Sequence, residues 1–142
     1  MTLLAVVLSL SSITGSYFLG DGLGVNWTLH LDADQRFVFK WRGCLGVYAT
    51  AVGTWALRDD HVALTVERAE GMAEKLPHEF TVVTWGDRTY LVSETKEFCK
   101  AVNEHREPLD KSWGEFFLRD GWRGAPSGQS SLSQQCASEA GR

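Results

Sequence analysis

Along most of this chain apolar and polar residues alternate with a period of two, which is the mark of strands with one face buried and the other in water. The longest such run follows Trp41-Arg-Gly-Cys-Leu-Gly46, where one strand ends in a tight corner carrying Cys44. From Val47 to Leu57 one parity holds Val47, Ala49, Ala51, Gly53, Trp55 and Leu57; the other holds Tyr48, Thr50, Val52 and Thr54. Gly53 beside Trp55 predicts a bulge, or a ring lying flat on the backbone. Upstream, residues 13–20 read as a first strand. Residues 25–31 form a second, with Val25, Trp27, Leu29 and Leu31 on one face, and residues 36–41 a third, with Phe37, Phe39 and Trp41 together. Downstream, residues 61–66 turn Val62, Leu64 and Val66 inward. Residues 79–85 and 88–92 flank Gly86-Asp87, and glycine first in a two-residue loop predicts a type II′ hairpin. A short strand at 114–118 brings the number to eight.

The alternation fails in two places. Residues 67–77 are a charged connection with room for a short helical turn before Pro77, which cannot continue a helix. Residues 94–104 switch to a helical period. Ser93 can cap this helix, Glu94 suits its first turn, and Phe98, Ala101 and Val102 form its apolar face. Pro108 disfavours helical geometry in the residue before it. The prediction is an all-β chain with one late helix, an antiparallel meander forming a strongly curved sheet or a small eight-stranded barrel. Closure removes exposed strand edges. A barrel of this size is filled by side chains or holds one small ligand.

At 142 residues one domain is expected, spanning 13–121. Residues 1–12 contain an apolar run far shorter than the ~20 residues that span a bilayer. It is like the apolar region of a secretory signal, although no Lys or Arg precedes it and no A-x-A site follows. Export to a periplasm or the cell exterior is the expectation; a folded N-terminal element in a cytoplasmic protein is the alternative. Residues 122–142 shift to Ser, Gln, Gly and Ala and are predicted to be a disordered tail.

Composition narrows the chemistry. Fourteen Lys and Arg against 18 Asp and Glu give a net charge of −4, with no basic stripe to meet nucleic acid. The Gly20-Asp-Gly-Leu-Gly24 loop leads into a strand and not a helix N-terminus, which argues against a phosphate cradle. Asp32 and Asp34 lack the rest of a calcium loop and are expected to bond their own backbone in a hairpin turn. His30, His61, His78 and His105 show no metal-binding spacing, and His30 and His61 fall on the outward parity of their strands. No Gly-x-Ser-x-Gly elbow or cofactor motif is present. A non-enzymatic protein without cofactor or metal is the expectation, with Cys44 as a thiol nucleophile the weaker reading. Arg42 is expected to stack on a Trp. Cys136 falls in the predicted tail, which leaves Cys44 and Cys99 as the candidate disulfide, or as two separate buried thiols.

Gly15-Ser-Tyr17, Gly20-Asp-Gly-Leu-Gly-Val-Asn26, Trp41-Arg-Gly-Cys-Leu-Gly-Val-Tyr48, Gly53-Thr-Trp55, Thr84-Trp-Gly-Asp-Arg-Thr-Tyr-Leu-Val92, Glu97-Phe-Cys-Lys-Ala-Val-Asn103 and Phe116-Phe-Leu-Arg-Asp120 are the stretches that carry a resemblance. Together they resemble a small group of uncharacterised bacterial proteins without an assigned activity, over most of residues 13–121. More loosely, the strand–turn–strand pattern ending in Gly53-Thr-Trp55 is similar to lipocalin-like barrels, although a lipocalin carries Gly-x-Trp on its first strand and here it lies mid-chain. Many proteins of that pattern have glycine in the hairpin where this chain has Gln35.

The functional candidates are the rings of inward parity, Tyr17, Trp27, Phe37, Phe39 and Trp55. They either interlock as a dry core or wall a pocket for one small apolar or amphipathic ligand. Ala49, Ala51 and Gly53 on the same face leave space that rings or a ligand must fill. The alternative is a filled barrel whose loops or tail meet a protein partner.

Overall fold

Eight strands that each expose one apolar face bury them together by closing into a ring. In the computed structural model, which describes residues 8–20, 24–105, 116–121 and 128–141, the strands are β1 (Gly15–Gly20), β2 (Asn26–Leu31), β3 (Arg36–Gly43), β4 (Gly46–Arg58), β5 (His61–Gly71), β6 (Glu79–Trp85), β7 (Arg88–Val92) and β8 (Phe116–Arg119). They pair in chain order, every neighbour antiparallel, and β8 returns to β1 as a closed barrel. The predicted last strand is displaced by one residue at its end, and residues 114–115 lie outside those described.

The barrel interior is filled. Tyr17, Leu29, Leu31, Phe37, Phe39, Trp55, Val62, Phe80, Leu91 and Phe117 are almost wholly removed from water and form one core. Gly53 explains how Phe37 fits. The two face each other across β3 and β4, and a Cβ on Gly53 would lie 2.9 Å from the Phe37 ring and 1.9 Å from Thr65 O. The ladder with β5 slips at the same place, so both readings of Gly53 hold. A second slip, in the β3–β4 ladder, skips Tyr48. It reverses the parity below Ala49, so Val47 is exposed, not inward, and Tyr48 packs its ring on Trp41 instead.

Three expectations need correction. β5 runs to Gly71 and not Val66, because the charged residues beyond Val66 pair with β4 while remaining exposed on both faces. A 3-10 turn at Ala73–Lys75 then supplies the short helical turn expected before Pro77. The C-terminal segment is not wholly without structure: residues 128–141 are ordered against the barrel and include a helix, Ser133–Ala140. Finally, the disulfide joins Cys99 to Cys136, not Cys44 to Cys99. Cys44 is exposed at the β3–β4 corner, whereas the Cys99 and Cys136 Cα atoms stand 4.8 Å apart.

Among the described residues three α-helices accompany the strands. The short α1 (Leu10–Ile13) closes one end of the barrel, and Ile13 is buried there beneath Tyr17, whose hydroxyl donates to Ile13 O at 2.7 Å. The predicted late helix is α2 (Thr95–His105), within a residue of its expected bounds at each end. It packs with α3 (Ser133–Ala140) on the outer wall of β6–β8, where Val83, Tyr90, Val92, Phe98, Phe116 and Leu118 form a second core around the disulfide. Gly86 has φ +61° while Asp87 does not share a positive φ, in agreement with a type II′ hairpin between β6 and β7. Among the described residues no helix is long and apolar enough to cross a membrane.

Candidate functional site

The two ends of the barrel are finished differently. At the end holding the β2–β3 and β4–β5 turns, Trp55 Nε1 donates to Asp32 O at 3.0 Å and Ile13 seals the interior. The other end holds the β3–β4 corner, the β5–β6 connection and the start of α2. Here the β1–β8 ladder stops at Phe18↔Leu118, so Leu19 and Phe117 lie beyond the last paired residues. Their side chains line a cavity of about 380 Å³, completed by Val25, Trp27, Lys75, Pro77, Phe80, Ser93 and Glu94.

Its walls are mostly apolar and come from five separate segments. Val25 and Trp27 share the inward parity of β2, with Val25 left 40% exposed at the rim. Trp27 stands in a run of rings. Its centroid is 5.3 Å from both Phe39 and Trp41 and 6.3 Å from Phe117, and Trp41 in turn meets Tyr48 at 5.5 Å. The Lys75 ammonium sits 5.5 Å over the Trp41 ring, so the cation on this Trp is Lys75 where Arg42 was expected. Glu94 is exposed, and its carbonyl accepts the Phe98 N–H that opens α2. A carboxylate there is favoured by the helix dipole, which weakens its field at the rim. Trp27 Nε1 and Trp41 Nε1 are shut off from water without a hydrogen-bond acceptor, at a cost on the order of 1–3 kcal/mol each.

The five rings expected to form a pocket therefore divide. Tyr17, Phe37, Phe39 and Trp55 are core; only Trp27 reaches the cavity. Ala49 and Ala51 face the interior, and opposing side chains occupy the space they leave. Sequence reasoning missed Leu19, Lys75, Pro77, Phe80, Ser93, Glu94 and Phe117. The available signal was Val25 on the parity of Trp27 beside a glycine-rich loop, which placed apolar surface where no strand could cover it.

A larger outer groove of about 610 Å³ runs beside the β4–β5 turn, but Arg58, Asp59, His61 and Glu79 line it, and His61 Nδ1 pairs with Asp60 Oδ1 at 2.7 Å. It lacks the apolar enclosure of the end cavity. Burial raises the Tyr17 hydroxyl well above the usual tyrosine range, and the nearby Arg119 guanidinium only partly opposes this. Tyr17 is thus held neutral as a structural donor. Among the described residues no group of three or more His, Cys, Asp or Glu is placed to hold a metal. The turn acids also differ from expectation: Asp32 directs its carboxylate to His30 Nε2 at 2.7 Å instead of its own backbone. Comparison with protein-family models, curated proteins and solved structures finds no match to this chain.

Proposed function

We propose that the protein binds one small apolar or amphipathic ligand in the cavity between β1, β2, β8 and the β5–β6 connection. The observation that carries this reading is an apolar-walled space of about 380 Å³ at the end of a barrel whose described inward side chains form one buried core. Sites of this size with apolar walls and a few polar groups at the rim are the usual form of small-molecule sites. Each ligand CH₂ withdrawn from water onto Leu19, Phe80 and Phe117 contributes about 0.8 kcal/mol before the ordering costs of binding. A polar end at the rim would meet Lys75. The reading is of binding and not turnover in this cavity.

The test is titration with linear carboxylic acids, alcohols and amines of graded chain length, following Trp emission and the thermal midpoint. The expected result is saturable quenching or a blue shift that strengthens with chain length, lost in Phe117→Trp, which fills the space. No response at any length overturns the reading. In that event a second reading stands on its own observation: the β3–β4 corner projects Leu45, 90% exposed, beside exposed Val47, an apolar tip suited to a protein partner.

A further inference from the structure

On the outer wall of the barrel, away from the cavity, three side chains are connected in a line. Ser16 on β1 and His30 on β2 are direct partners in the β1–β2 ladder, and both point outward because Tyr17, Leu29 and Leu31 point in. Ser16 Oγ lies 2.8 Å from His30 Nδ1, and His30 Nε2 lies 2.7 Å from Asp32 Oδ1. A carboxylate can only accept, so the shared proton belongs to His30 Nε2. In the neutral imidazole this leaves Nδ1 a lone pair that accepts the Ser16 O–H. The order is hydroxyl, imidazole, carboxylate. Such a set is recognised by geometry and roles and not by position in the chain.

We propose that Ser16, His30 and Asp32 form an acyl-transfer site, with Ser16 as nucleophile, His30 as base and Asp32 orienting the imidazole. This goes beyond the ligand-binding reading and does not rest on it. The site is built on rigid elements: six consecutive residue pairs fix β1 against β2, and Asp32 is pinned by its N–H to Arg36 O at 2.9 Å and by Gln35 N–H to Asp32 O at 3.1 Å. The surroundings set the substrate class. His30 and Asp32 are nearly half exposed, with side-chain exposures of 47% and 43%, so a donor approaches from open solvent. Phe18, two residues along β1, and Val38, paired with His30 and 45% exposed, lie on the same face and offer apolar footing for an acyl group. The backbone here is committed to the ladder, so water and not a set of fixed donors meets the oxyanion. That restricts the substrates to activated esters and thioesters, whose leaving groups depart without being protonated.

With p-nitrophenyl acetate the step balances as follows. Ser16 Oγ attacks the carbonyl carbon while its proton passes to His30 Nδ1. The Oγ–C bond forms, the bond to the phenolic oxygen breaks, and p-nitrophenolate leaves. His30 gives that proton up to solvent. Water then attacks acetyl-Ser16 as its own proton passes to His30 Nδ1, the Oγ–C bond breaks as that proton returns to Ser16 Oγ, and acetic acid leaves and ionises to acetate.

The experiment uses the full chain carrying Cys44→Ser, which removes the exposed thiol, and reads both p-nitrophenolate release and the acetylated position by peptide mass spectrometry. Acetyl on Ser16 is expected, absent in Ser16→Ala. Its rate of formation should fall about a hundredfold in His30→Ala, the low end of general-base effects, and less in Asp32→Asn. Added imidazole should restore labelling of Ser16 in His30→Ala, which a merely structural histidine would not do. Thermal midpoints establish that each variant is folded; should His30→Ala fail to fold, His30→Asn removes the base while keeping a polar partner for Ser16. Acetyl confined to lysines, or Ser16 labelling that survives loss of His30, overturns the proposal and leaves a cross-strand hydrogen bond.

Discussion

The wall formed by β2–β5 and the wall formed by β6–β8 share one barrel but not one environment. On β2 and β3 the outward residues Thr28, His30, Arg36 and Val38 stand in water while Leu29, Leu31, Phe37 and Phe39 fill the interior. On β7 all five residues are buried, because α2 and α3 cover the outer face. The single wall has an apolar core on its inner face alone; the double wall is packed on both faces and tied by the Cys99–Cys136 bridge. Alternation in a sequence is therefore a statement about what lies on the far side of a strand, and it disappears when a second layer arrives.

The sharpest way to break this comparison is to remove a side chain from the cover. Phe98→Ala should cost about 3–5 kcal/mol in urea unfolding, as much as a ring inside the barrel, because Phe98 is fully buried against Tyr90 and Phe116 at 5.3 and 5.2 Å. Val38→Ser, at an outward position on the single wall, should change stability by no more than about 0.5 kcal/mol. Equal costs for the two would show that the walls do not differ.

Releasing the cover covalently comes next. Replacing both Cys99 and Cys136 by Ser opens a link between residues 37 apart in sequence and should cost about 2–4 kcal/mol. The helix α3 should loosen first, since its own remaining ties include side-chain bonds such as Asn103 Nδ2 to Cys136 O at 3.2 Å, while the segment before it keeps Ser131 N–H to Thr84 O at 2.9 Å and Trp85 Nε1 to Gly128 O at 3.0 Å. Limited proteolysis at residues 128–141 reads this, with an unchanged pattern counting against the bridge as the fastening.

A smaller loss than either of these is expected in β1, where the two walls meet. Tyr17→Phe removes the hydrogen bond to Ile13 O and should cost about 1 kcal/mol at neutral pH. The folded protein holds Tyr17 neutral above the tyrosine range, whereas the unfolded chain ionises near pH 10.0. Stability should therefore be intact below pH 10 and decline as pH rises beyond it, and Tyr17→Phe should flatten that decline. Denaturation midpoints measured across alkaline pH decide it.

The same contrast explains what the sequence could show. In β2–β5 the alternation identified strands, parity and the barrel class, and Gly53 announced both its bulge and its close approach to a ring. In the covered region the signal weakened. The helix α3 has almost no apolar face; it is attached through Cys136 and through side-chain hydrogen bonds such as Asn103 Nδ2 to Cys136 O, so its Ser- and Gln-rich composition read as disorder. The cysteine pairing followed that error. For the site, parity found the inward rings but not which of them would be covered. Four are sealed by one another, and the cavity exists only because the β1–β8 ladder ends early, a property of two strands almost a barrel apart in sequence. Ser16, His30 and Asp32 were individually visible, but their connection required the β1–β2 register.

That early ending has a kinetic side. Strands β1 to β5 join neighbours along the chain, so each hairpin can form as its residues become available, whereas Tyr17↔Arg119 and Phe18↔Leu118 link the first strand to the last. Distant contacts carry the larger loop-closure entropy and form late. The barrel is thus a sheet before it is a ring, and its final stitch is among its shortest. Because Leu19 and Phe117 line the cavity just past that stitch, the cavity is completed only at the closing event. A molecule lodged there would favour the ring over the open sheet by mass action, making occupancy and closure one equilibrium.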